Sequence, residues 1–149
     1  MMAAATLPSA GYSGRSLPEK LGFKAGMAVA FVSLPPELEV LADSVPFGQV
    51  VRTAGWAARL GSDRALDAVH AFTKSRAEVE ADLSRLQDAI RRDGMIWVSW
   101  PKKASKVATD VTEDVVRDAA LRLDLVDIKV AAIDATWSGL KLMVRKDRR

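Results

Sequence analysis

The residues best suited to meet a ligand fall in one stretch, Ser99 to Asp110, which carries Trp100, Lys102, Lys103, Ser105, Lys106, Thr109 and Asp110. Three lysines on one loop can take a phosphate or carboxylate while an indole stacks on a ring, so the stretch is a candidate site for an anionic small molecule. Its alternative is a solvated basic loop beside a core tryptophan. Trp137 and Ser138, ahead of Gly139, form a second candidate surface, for which packing in a hairpin turn is the simpler explanation. The only histidine, His70, stands inside an apolar run and reads as a hydrogen-bonded core or strand-end imidazole. A catalytic triad built on it needs Ser33 or Ser99 and a carboxylate.

Other chemistry is excluded by what the chain lacks. It has no cysteine, so thiolate metal sites, disulfides and cysteine nucleophiles are ruled out, and no metal site is expected. No Walker-type phosphate loop occurs, and the glycines of Gly11-Tyr12-Ser13-Gly14 precede no strand directly.

The balance of 22 Lys and Arg against 19 Asp and Glu leaves a net charge of +3. The basic residues are scattered apart from Lys102-Lys103-Lys106 and Arg145 to Arg149, which argues against a nucleic-acid partner. No apolar run approaches the ~20 residues that cross a bilayer. Residues 1–10 lack the basic start and hydrophobic block of a secretory signal and read as a flexible tail, leaving residues 11–149 as one domain in the cytoplasm.

The elements that position these residues alternate. Met27 to Leu34 is a short apolar run bounded by Gly26 and Pro35-Pro36, as expected of a strand buried on both faces, and Pro36 opens a short helix through about Ala42. A brief second strand falls at Gln49 to Arg52, the segment 53–64 has no clear assignment, and Leu66 to Phe72 is a third strand. Ser75 and Glu78 have capping-box spacing, and Val79, Leu83, Leu86 and Ile90 put an apolar stripe on the helix that follows, with Arg91, Arg92 and Gly94 marking its end. Met95 to Trp100 is a central strand stopped by Pro101. Thr112 caps a further helix with Val116, Ala120 and Leu123 on one face. Val126 to Ala132 and Leu140 to Val144 alternate with charged residues and read as half-exposed strands, joined by Asp134 to Gly139 as an antiparallel hairpin.

This order predicts an α/β fold, a three-layer Rossmann-like, mostly parallel sheet with a C-terminal antiparallel hairpin. It resembles the class I methyltransferase version of that fold over roughly Gly26 to Arg145. The start Gly11-Tyr12-Ser13-Gly14 with Leu17-Pro18-Glu19-Lys20-Leu21-Gly22, and the blocks Trp97 to Lys103 and Thr136 to Lys141, also resemble a family of short bacterial proteins catalogued as a domain of unknown function. That second likeness implies no particular activity.

In Rossmann-like enzymes a glycine-rich turn after the first strand lets amides approach the cofactor, and an acid ending the second strand holds the ribose. Here the turn reads Ser33-Leu34-Pro35-Pro36 and the second strand ends at Arg52-Thr53. Prolines supply no amide, so the expectation is a non-catalytic binding or regulatory domain with no cofactor. The alternative is a divergent small-molecule enzyme such as an adenosylmethionine-dependent methyltransferase. A third reading is a protein-interaction subunit or homodimer pairing through its edge hairpin.

Overall fold

A computed structural model describes residues 16–61 and 63–149. The expected tail over residues 1–10 and the Gly11-Tyr12-Ser13-Gly14 motif lie outside the described residues. The elements run α1 (Leu17–Leu21), β1 (Ala28–Val32), a 3-10 helix (Pro36–Asp43), β2 (Gln49–Thr53), β3 (Leu66–Phe72), α2 (Arg76–Ala89), β4 (Ile90–Pro101), α3 (Glu113–Leu121), β5 (Leu125–Ala132) and β6 (Trp137–Val144).

Six strands form one sheet in the order β2-β1-β3-β4-β6-β5. The first four are parallel, while β6 runs antiparallel to both β4 and β5. The architecture is therefore the expected Rossmann-like one. Because strand side chains alternate between faces, each strand feeds two cores. On one face Ala30, Val69, Ile96, Val98, Leu140 and Leu142 meet α2 through Val79, Leu83 and Leu86, and α3 through Val116 and Ala120. On the other, Phe31, Phe72, Trp97 and Trp137 meet Leu17 and Leu21 of α1 and Leu38 and Leu41 of the 3-10 helix.

Several elements differ in detail from the sequence expectation. Helix α1 was not signalled by periodicity, yet Ser16 and Glu19 close a capping box, Pro18 sits in its first turn, and Gly22 ends it at φ +80. It is short enough to show no stripe, and its carbonyl at Leu21 accepts the Trp97 indole N–H at 2.9 Å. Gly94 does not end α2. The chain leaves the helix at Ala89 and is already in β4 at Ile90, which is fully buried opposite Leu66. Gly94 instead lies where β4 shifts register against β3, and a Cβ there would stand 2.9 Å from the Asp67 carbonyl oxygen.

The last hairpin also needs correction. Trp137, Ser138 and Gly139 are strand residues, paired with Pro101, Trp100 and Ser99, and the turn is confined to 133–136. Strand β6 is internal, so Leu140, Leu142 and Val144 are buried rather than half-exposed. The sheet edge on this side is β5, where a register shift falls between Asp127 and Lys129 and Ile128 and Val130 are each 47% exposed. No described helix is long and apolar enough to cross a membrane.

Candidate functional site

The carboxyl ends of β1, β2 and β3 open onto one pocket of about 690 Å³, whose lining runs from Thr53 and Ala54 past Ser33 to Pro36, Glu37, Phe72 to Ser75 and Glu78, and ends at Trp137. In open α/β sheets ligands take this position, beyond the carboxyl ends of the strands. The volume lies within the ~300–1,000 Å³ of small-molecule sites.

The first turn decides whether the pocket is open. Ser33 adopts φ +57, the left-handed conformation that glycine normally fills, and it is not a glycine. Two bonds hold it there: its N–H donates to the Thr53 carbonyl at 2.9 Å and its hydroxyl to the Ala54 carbonyl at 3.0 Å. After Ser33 the chain reaches Pro35 at the N-cap position of the 3-10 helix and Pro36 in its first turn. The prolines thus lie in the wall of the pocket and leave its volume free.

The β3 wall is built by an interrupted capping box. The Ser75 hydroxyl accepts the Glu78 N–H at 3.2 Å, as the spacing predicts. The reciprocal bond is replaced: Glu78 Oε1 accepts the Thr73 hydroxyl at 2.6 Å, and Thr73 Oγ1 in turn accepts the Ser75 N–H at 3.0 Å. Glu78 Oε2 accepts the Trp56 N–H at 3.4 Å, which ties the 53–64 segment to α2. Trp56 is itself buried, donating its indole N–H to the Phe72 carbonyl at 2.9 Å.

The far wall is Trp137. Asp134 Oδ1 accepts both the Thr136 and Trp137 N–H groups, at 2.8 and 2.7 Å, and sets the entry to β6. The Trp137 ring packs edge-on to Phe72 with centroids 5.3 Å apart, and its indole N–H donates to Glu37 Oε2 at 3.1 Å. The lining thus carries two carboxylates, Glu37 and Glu78, against one lysine, Lys74.

Of the site residues expected from sequence, only Trp137 lines this pocket. Trp100 is 7% exposed and packs in the core beneath the helices, where no ligand ring can stack on it. Lys102 is half-buried and donates its backbone N–H to the Thr136 carbonyl, while Lys103 and Lys106 are exposed on the short turn that follows. Thr109 donates to the Lys74 carbonyl at 2.7 Å, and Asp110 accepts the Arg76 N–H at 2.7 Å, so both clamp the loop onto the start of α2. Ser138 lies in β6 opposite Trp100. Sequence reasoning missed Glu37, Thr73 and Glu78 as site residues. The one signal that could have found them is that each follows a strand's carboxyl end within six residues.

His70 meets Ser99, its Nε2 lying 2.8 Å from the hydroxyl oxygen, but Nδ1 has no hydrogen-bond partner among the described residues. No carboxylate orients the ring, and full burial pushes its pKa down to about 3. The pair is sealed between Phe72, stacked at 4.2 Å, and Phe23, so no triad forms. Among the described residues no group of three or more His, Asp or Glu is arranged to hold a metal.

No protein-family model and no curated protein sequence matches the chain. Solved structures match its fold. Geranyl diphosphate C-methyltransferase from Streptomyces coelicolor A3(2) aligns with TM-score 0.62 at 8% identity, over 85% of this chain and 73% of that one. Magnesium protoporphyrin IX methyltransferase from Synechocystis PCC 6803, with bound SAM, aligns with TM-score 0.59 at 15% identity, over 82% and 71%. The [4+2]-cyclase SpnF aligns with TM-score 0.63 at 8% identity, over 95% and 88%. The methyltransferase-like fold is therefore established. These neighbours are enzymes, which overturns the expectation of a non-catalytic domain and favours the alternative, a divergent enzyme. The turn still supplies no amide at Pro35 and Pro36, but it lines an open pocket beyond the strand ends.

Proposed function

We propose that the chain is a divergent adenosylmethionine-dependent enzyme acting on a small molecule, with methyl transfer as its reaction. The observation that carries this reading is the open pocket over β1 and β2, made possible by the left-handed Ser33. The residues fit the cofactor in volume and in sign of charge, because a lining with two carboxylates and one lysine suits a sulfonium cation. They differ from the family pattern in how the cofactor is gripped. Pro35 and Pro36 offer no N–H, and Thr53 and the backbone of Ala54 stand where an acid would meet the ribose. When bound, the cofactor supplies an electrophilic methyl group. Ser33, Thr53 and Glu78 would hold it, Phe72, Leu34 and Trp137 would keep water away, and Glu37, whose Oε2 accepts the Trp137 indole N–H, would take a proton on its other oxygen.

The three sequence blocks support membership of the short bacterial family, and a cytoplasmic location is the proposed setting. Calorimetric titration with S-adenosylhomocysteine tests the function directly. Saturable binding is expected, with thermal stabilisation of about 2.7 kcal/mol at one hundred times the dissociation constant. Ala54→Trp, which fills the β2 end of the pocket, should abolish both. Absence of binding in the wild type, or binding untouched by Ala54→Trp, overturns the reading.

A further inference from the structure

The pocket has two ends, and they differ in chemistry. Neighbouring strands lie about 4.8 Å apart, and in this sheet β2 and β3 flank β1 while β6 is two strands beyond β3. Thr53 and Ala54 mark the β2 side, with Thr73 and Glu78 on the β3 wall beside it. Glu37, Phe72 and Trp137 mark the β6 side, with Trp137 folded back edge-on to Phe72. The pocket, about 690 Å³, reaches across both ends.

We infer that the Glu37–Trp137 end is the acceptor subsite and that it takes a protonatable amine carried on a small apolar or aromatic group. This rests on the methyltransferase reading for the word acceptor, and on the side chains alone for the amine. Glu37 is the group that selects the charge. The indole N–H of Trp137 fixes its Oε2 and leaves Oε1 for a second donor. Among the described residues no lysine or arginine forms a salt bridge with Glu37, whereas Glu39, two residues on, is paired with Arg52. Lys74, the one cation in the lining, pairs with neither Glu37 nor Glu78. Glu37, exposed in the lining and without a salt bridge, repels a carboxylate or phosphate ligand and attracts an ammonium. Leu34 and Pro36, in the same lining, cover the ligand's apolar part, while Trp137 and Phe72 are buried and serve to anchor the wall. Once bound, the amine has a proton acceptor at hand in the same carboxylate, which is what its nitrogen needs before it can act as a nucleophile.

Three probes of one shape separate the possibilities: benzylamine, benzyl alcohol and benzoate, titrated calorimetrically into the protein at pH 7.5 with and without saturating S-adenosylhomocysteine. Benzylamine should bind about tenfold more tightly than benzyl alcohol, with benzoate weakest. Glu37→Gln should weaken benzylamine about fivefold or more while the S-adenosylhomocysteine affinity is unchanged. Trp137→Phe keeps a ring and loses the anchoring N–H, so it should give a smaller loss in the same direction. Benzoate or the alcohol binding as well as the amine, or Glu37→Gln without effect, overturns the proposal. If S-adenosylhomocysteine fails to bind, the methyltransferase reading falls; a preference for benzylamine in its absence still upholds the cationic subsite.

Discussion

The imidazole of His70 and the hydroxyl of Ser99 face each other at 2.8 Å on adjacent parallel strands, wholly inside the protein, with no partner among the described residues for the ring's second nitrogen. The pair links β3 to β4 beneath the pocket floor and makes the sheet sensitive to acid. Burial holds the folded-state pKa at about 3, below the 6.5 of a free histidine. A group whose pKa is lowered by folding contributes stability in full above its unfolded value and loses it as pH falls toward the folded value. The window is therefore pH 6.5 down to about 3, with a loss of up to about 1.4 kcal/mol per unit. Urea midpoints measured between pH 7.5 and 4 should fall steeply in the wild type and less in His70→Phe/Ser99→Ala, which removes both polar groups. Parallel slopes in the two proteins would assign the acid sensitivity elsewhere.

Ser33 carries the strain that shapes the first turn. A left-handed non-glycine residue costs about 1–2 kcal/mol, and the hydroxyl bond to Ala54 returns about 1. Ser33→Gly removes both at once and should leave stability within about 1 kcal/mol of wild type. Ser33→Val adds β-branching at the same φ without the hydroxyl and should cost about 2–3 kcal/mol. Chemical denaturation of the two variants decides the matter; equal stabilities would mean that the turn relaxes freely.

Local features of the fold were legible because their causes are local. The apolar run Leu66 to Phe72 is β3 to the residue, and Ser75 caps α2 where its spacing with Glu78 says it should. The site was not legible, because its walls meet only through the sheet. Glu37 and Trp137 are 100 residues apart in sequence and touch because β6 returns antiparallel beside β4. Nor could Trp97 and Trp100 be told apart in a continuous apolar strand: alternation sends one to the α1 face and the other beneath α2 and α3. The left-handed Ser33 was invisible for a simpler reason, since serine rarely adopts that conformation and its type gives no sign of it.

Gly94 gives a sharper comparison, because a helix terminator and a close-contact glycine respond differently to alanine. Its φ lies outside the left-handed region, so a methyl group meets no conformational penalty there. The obstacle is space. The new Cβ would stand 2.9 Å from the Asp67 carbonyl and 3.1 Å from that of Arg91, both backbone atoms that cannot rotate aside. Gly94→Ala should cost about 1–3 kcal/mol by forcing the β3–β4 shift apart. Gly55→Ala, with open space at its Cβ, serves as the control and should be nearly neutral. Equal effects would show that β4 yields at this point.

Any test of association through the last hairpin must spare β6. Leu142 is fully buried in an internal strand, where its side chain meets the helical face, so Leu142→Lys places a charge in the core. That costs at least about 3–5 kcal/mol, a large part of a domain's stability, and circular dichroism should show a protein largely unfolded or melting far lower. Ile128 on β5 is 47% exposed at the register shift, and a lysine there keeps its stem on the sheet and its charge in water. Ile128→Lys should cost about 1 kcal/mol or less and leave the spectrum intact. A change in elution volume on Ile128→Lys then reports on association alone, whereas the same change on Leu142→Lys reports on unfolding. If Leu142→Lys folds and melts as the wild type does, β6 is not the internal strand described above.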